Sequence, residues 1–169
     1  MKKKADKLNN YAFIDSQNLN LGVRDQGWKL DFARFRVYLK DKYKVKKAFL
    51  FIGYIQENQK LYGFLKKVGY VLIFKPVLLS GKKDVKGNVD AELVLHSMIE
   101  FSNYTGAVIV TGDGDFHCLV EYLEDKGKLV GLIVPNKFKY SALLREFADY
   151  IDFLNLQREN LKIKKRHNP

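Results

Sequence analysis

Ala107-Val-Ile-Val-Thr-Gly-Asp-Gly-Asp-Phe116 passes from an unbroken apolar run into alternating glycine and aspartate. Its first five residues read as a strand buried on both faces. The glycines that follow let the chain turn tightly and bring carboxylates near a ligand. The same apolar signature recurs at Tyr11-Ala-Phe-Ile-Asp15, at residues 47–53, at Tyr70-Val-Leu-Ile-Phe74 and at residues 129–134. Helical patterns separate these runs, at residues 30–42, 56–67, about 89–102 and 116–126. A short helix is expected at 141–147 and a last edge strand at 150–154. Strands that alternate with helices and lack polar faces argue a parallel sheet covered on both sides. With right-handed crossovers, that is a doubly wound α/β sandwich of five or six strands.

The chain has 169 residues, 47% of them hydrophobic and 14% aromatic, enough for one domain with a substantial core and too apolar for disorder. Residues 10–156 are read as that domain, flanked by a basic flexible N-terminus (1–9) and a basic C-terminal tail (157–169). Met1-Lys-Lys-Lys4 has the charge of a signal-peptide head, but a polar stretch follows where an apolar one should. No run approaches the ~18–20 apolar residues of a membrane span. One cysteine, Cys118, excludes an internal disulfide framework and a multi-cysteine zinc site, and is expected on the apolar face of its helix. The expected compartment is the cytoplasm, and the sequence leaves a homodimer open.

Lysine and arginine number 30 against 19 acids, a formal charge of +11. That excess implies a polyanionic partner, because phosphate contacts gain affinity from released counterions. The basic loop at residues 80–88 offers Lys82, Lys83 and Lys86 as backbone contacts on the expected active rim. Trp28, Tyr54, Tyr62 and Tyr70 are the aromatics that could stack on bases or fill the core.

Sites in open α/β sheets form beyond the carboxyl ends of the strands, where the strand order reverses. Asp15 closes the first strand, Asp113 follows the fourth, Asp115 enters the next helix, and Asp90 opens the helix that feeds the fourth strand. All four reach one rim if the first and fourth strands are neighbours. Clustered carboxylates raise each other's pKa, and a divalent cation relieves the repulsion. Oxygen-only ligands favour Mg²⁺ or Mn²⁺ over zinc. Such an ion polarises a phosphoryl oxygen and acidifies a water for in-line attack. Singly, Asp15, Asp90 and Asp115 could each be a helix or turn cap.

Phe13-Ile-Asp-Ser-Gln-Asn-Leu19, Lys86-Gly-Asn-Val-Asp-Ala-Glu-Leu93 and Val110-Thr-Gly-Asp-Gly-Asp-Phe116 occur in that order. Together they resemble the three motifs of the NYN domain, the LabA-like branch of the PIN-like nuclease superfamily, over about residues 11–152. The resemblance implies a three-layer Rossmann-like sandwich with strand order 3-2-1-4-5 and metal-dependent ribonuclease chemistry leaving 5′-phosphate and 3′-hydroxyl ends. It also implies metal-binding roles for Asp15, Asp90, Asp113 and Asp115. Asn18 would orient a ligand or the attacking water, or else cap its own turn. Many relatives carry a further acid six residues beyond Asp90, where this chain has His96. Glu92, four residues before His96, either supplies that charge or pairs with the histidine. His117 follows the acid motif and is read as a surface histidine that could reach a phosphate.

Two other classes compete with a ribonuclease acting on single-stranded or structured RNA. A non-catalytic RNA-binding or regulatory module would keep the fold and the basic face but is expected to lose acids. A phosphatase with an Asp-x-Asp pair would carry it after the first strand, where this chain reads Asp15-Ser-Gln-Asn18.

Overall fold

The computed structural model describes residues 8–75 and 89–164. Strand β1 (Asn10–Asp15) runs straight into helix α1 (Ser16–Arg24), and α2 (Phe32–Tyr43) leads to β2 (Val45–Gly53). A 3₁₀ turn at Gln56–Asn58 opens α3 (Gln59–Lys67), which is followed by β3 (Tyr70–Lys75). Then come α4 (Asp90–Ile99), β4 (Gly106–Val110), a 3₁₀ turn (Gly114–Phe116), α5 (His117–Asp125) and β5 (Leu129–Val134). The predicted helix at 141–147 is realised as a 3₁₀ segment, Ala142–Tyr150, with a non-helical residue at Phe147. It is followed by edge strand β6 (Ile151–Phe153), and short α6 (Arg158–Leu161) closes the described chain.

The sheet has six strands in the order β3-β2-β1-β4-β5-β6, and every neighbouring pair is parallel. Helices cover both faces. Alternation along β1 divides the core: Ala12 and Ile14 join Leu19, Val23, Phe35, Leu39 and Leu65 on the α1–α3 side. Tyr11 and Phe13 join Leu93, Leu119, Val120 and Leu123 on the α4–α5 side. All six β1 residues are buried, as a central strand in a three-layer sandwich requires.

Two expectations need correction. Cys118 is exposed, because Leu119, Val120 and Leu123 form the buried stripe of α5 and Cys118 falls outside it. Helix α1 has no counterpart in the periodicity reading. Only Ser16, Leu19 and Val23 of its residues are buried, and its asparagines are weak helix formers. What makes it helical is the Asp15 side chain, which caps it by accepting the Asn18 N–H at 3.1 Å, and the burial of Leu19 and Val23 against the sheet.

At the other end of the chain, residues 158–163 pack onto the sandwich. Leu161 is buried with the α1–α3 core, its carbonyl accepts the Asp31 N–H, and the Ile163 N–H reaches the Lys29 carbonyl. Trp28, Tyr62 and Tyr70 are core residues, whereas Tyr54 is 43% exposed and stacks on Tyr62.

Candidate active site

Strand order reverses between β1 and β4, and their register sets the site. Ile14 lies level with Val110, so Asp15 and Thr111 emerge side by side at the carboxyl edge. Thr111 is fully buried, and its hydroxyl lies 3.4 Å from Asp15 Oδ2 while accepting the Asp113 N–H at 3.1 Å. Asp113 in turn caps the 3₁₀ turn, its Oδ1 accepting the Asp115 N–H at 3.0 Å. One carboxylate oxygen from each of Asp90, Asp113 and Asp115 lies within 4.8 Å of the other two. Asp15 sits behind this triad and lines a cleft of about 340 Å³ together with Asp90 and Asp113.

The three alternative cap readings are settled by geometry. Asp15 does cap α1, with one oxygen, while its other oxygen faces Thr111. Asp90 is the first residue inside α4, whose cap position is Val89, and Asp115 caps nothing because Asp113 holds that place. Asn18 ties the first motif to the third: its Oδ1 accepts the Gly112 N–H at 2.7 Å. The Gly112 carbonyl accepts from the Ser141 N–H at 2.9 Å, so the 136–141 connection lies against the acid loop.

That contact explains the glycines better than turning does. A Cβ on Gly114 would stand 2.3 Å from Ser141 Oγ, and one on Gly112 would stand 3.2 Å from Tyr140 Cβ. Neither glycine has a positive φ. They are there for close approach, which holds Asp113 and Asp115 in place.

Negative charge is crowded at this edge of the sheet. Burial pushes the Asp15 carboxyl up to about 6. The Asn18 N–H and the Thr111 hydroxyl oppose the rise, and the negative charges of Asp90 and Asp113 add to it. An oxygen-only set within this span suits a hard cation. Oxygens facing each other across one Mg²⁺ are ~4 Å apart, so small side-chain rotations bring the triad into range. The donor set therefore fits Mg²⁺ or Mn²⁺.

The remaining candidates separate. Glu92 is not among the acids whose oxygens converge in the triad, and among the described residues no ion pair joins it to His96. Its carboxylate pairs with Lys75 of β3 at 3.7 Å. His96 packs its ring on Phe51 with centroids 5.7 Å apart. His117 is held by Glu146 and lies against Phe147. Lys82, Lys83 and Lys86 lie outside the described residues. Thr111, Gln17, Leu21 and Ser141 escaped the sequence reading. Thr111 alone had a signal, as the polar residue closing β4.

Fold and cleft together define a parallel α/β protein with a cluster of carboxylates at its topological switch point. The sequence model of the NYN domain family matches residues 11–156, and the chain belongs to that family. A solved structure of a protein of unknown function from Vibrio parahaemolyticus superposes with a TM-score of 0.75 at 20% identity. The alignment covers 95% of this chain and 99% of that one. At that identity the likeness is one of fold. Among curated proteins none matches the chain.

Proposed function

We propose that this protein is a metal-dependent ribonuclease that hydrolyses RNA phosphodiester bonds. The carrying observation is the Asp90/Asp113/Asp115 triad, with oxygens within 4.8 Å, in the switch-point cleft of a chain of this family. Those three acids would hold Mg²⁺ or Mn²⁺, with Asp15 behind them as the fourth charge. Bound there, the ion supplies polarisation of the phosphoryl oxygen and a lowered water pKa. The chain contributes position. Thr111 and the Asp115 N–H orient Asp113, and Asn18 pins the Gly112 backbone beneath it. Asp15, with a pKa near 6, is ionised at neutral pH and completes the negative field. Lys82, Lys83 and Lys86 are proposed to hold the RNA backbone, in keeping with the net charge of +11.

The test is cleavage of labelled single-stranded and hairpin RNAs with Mn²⁺, Mg²⁺ or EDTA, beside Asp113→Asn. Metal-dependent cutting that ends in 5′-phosphate and disappears in the variant is the expected result. One observation favours a second reading, a non-catalytic RNA-binding module: the packing of His96 on Phe51 leaves no acid at the position where many relatives have one. Binding of RNA by both proteins without cleavage would establish that module instead.

A further inference from the structure

Helix α1 presents Gln17, Asn20, Leu21 and Arg24 along one outward stripe, at the i, i+3, i+4, i+7 spacing of a single helix face. That stripe borders a run of three clefts. The acid cleft shares Gln17, Leu21 and Val89 with a second cleft of about 400 Å³ against the end of β2. The second shares Asn20, Arg24 and Leu61 with a third of about 630 Å³ that extends toward Lys29 and Phe64. Together they make a continuous groove, starting at the carboxylates and following α1 for its length of ~13 Å.

We propose that a single strand of RNA leaves the acid cleft along this groove, its bases against the apolar wall and its phosphates on Arg24 and Lys29. The proposal rests on the ribonuclease reading and adds the substrate's path and its unpaired state. Leu21, Leu61, Phe64 and Ile163 are 49%, 41%, 46% and 56% exposed, and all four line these clefts. Phe64 is the exposed aromatic of this wall, and aromatic rings are the usual platform for an unstacked base. Among the described residues, Arg24 and Lys29 have no hydrogen-bonded or ion-paired side-chain partner, so both cations are available to phosphate. The acid on the wall, Asp31, is occupied by capping α2 and by Arg34 at 3.4 Å. A duplex would present phosphates outward and leave the apolar wall unused. An apolar peptide would use the wall but not the paired cations or the opening into the carboxylates.

The test is fluorescence anisotropy of a labelled single-stranded oligoribonucleotide and of a blunt RNA duplex across a salt series in EDTA. The proteins are wild type, Arg24→Gln/Lys29→Gln, and Lys46→Gln/Lys126→Gln as a control matched in charge on other surfaces. Loss of two phosphate contacts lowers the single-strand salt slope by ~1.4 in the groove variant and leaves duplex binding alone. Under cleavage conditions the same variant should raise KM with kcat retained. Equal losses in both double variants would overturn the path, reducing it to general charge. Wild-type RNA binding indifferent to Arg24 and Lys29 would overturn it too, leaving the groove to a protein partner and the ribonuclease reading intact. Absence of single-strand binding by the wild type would overturn both. Unchanged thermal unfolding of the variants checks that the fold is kept.

Discussion

Asp15 and Asp152 lie almost level across the sheet, since Asp152 pairs with Ile133, Ile133 with Val110 and Val110 with Ile14. Both are shielded from solvent, yet they sit in opposite electrostatic states. Asp152 accepts from Lys42 Nζ at 2.5 Å, Tyr43 Oη at 2.8 Å and Tyr38 Oη. Burial works to raise its pKa, but the Lys42 and tyrosine bonds outweigh burial and hold it below the usual carboxylate range. Asp15 has one backbone N–H and one distant hydroxyl against burial and two neighbouring carboxylates, and its pKa rises to about 6. The chain neutralises Asp152 from its own α2, which pins edge strand β6 to the sandwich. Among the described residues no lysine or arginine pairs with Asp15, and its neighbours are carboxylates, in keeping with the metal site proposed above.

The largest way to sharpen this contrast is to remove a triad carboxylate. Asp113→Asn keeps the cap to the Asp115 N–H but lowers the negative field, and is expected to cut RNA cleavage by at least ~100-fold. Its urea midpoint should stay near wild type. Asp152→Ala should act the other way round. Loss of a buried, paired carboxylate costs ~3–5 kcal/mol, and the half-exposed Lys42 side reduces this to about 2–3 kcal/mol, read in urea unfolding. RNA cleavage at temperatures well below the melting transition should be retained.

Asp15→Asn should stabilise the metal-free protein. The folded pKa of about 6 lies above the ordinary 3.8, so the folded state binds the proton more tightly. Stability from this group is full below pH 3.8, falls as pH rises through 6, and is flat above. At pH 7.5 in EDTA the substitution therefore gains up to about 3 kcal/mol, and it removes the decline between those pH values. Asp152, with a lowered pKa, has the opposite sign: its contribution is present above the unfolded value and is lost as pH falls through the folded one. Acid unfolding of the two variants should thus diverge in opposite directions. The smallest effect belongs to Cys118→Ser, expected within ~0.5 kcal/mol of wild type because the residue is exposed. Its thiol should react with a disulfide reagent without denaturant, whereas a core thiol would need unfolding first.

Much of this molecule is legible in one dimension because burial writes itself into composition. Strands covered on both faces are apolar through their middles, so β1, β2, β4 and β5 appear as apolar runs with polar residues only toward their ends. The acids and glycines that break those runs mark the carboxyl edge, and three motifs in order are enough to indicate the family. What stayed hidden depends on long-range partners. Helix α1 has few buried residues and owes its form to a cap and to the sheet beneath it. Glu92 was four residues from His96 in the chain, but the β3 lysine reached it instead.

The amino-acid sequence by itself determined the layered α/β architecture, the basic charge and the identity of the acids at the rim. Those properties depend on local periodicity and on residue type. Only the tertiary structure decided that Asp90, Asp113 and Asp115 share one point while Asp15 lies behind them, and that the Asp113–Asp115 loop rests on Ser141. It also decided that α1 opens a groove away from the acids. Each of these follows from strand register and helix packing between residues far apart in the chain, and no local pattern encodes such distances.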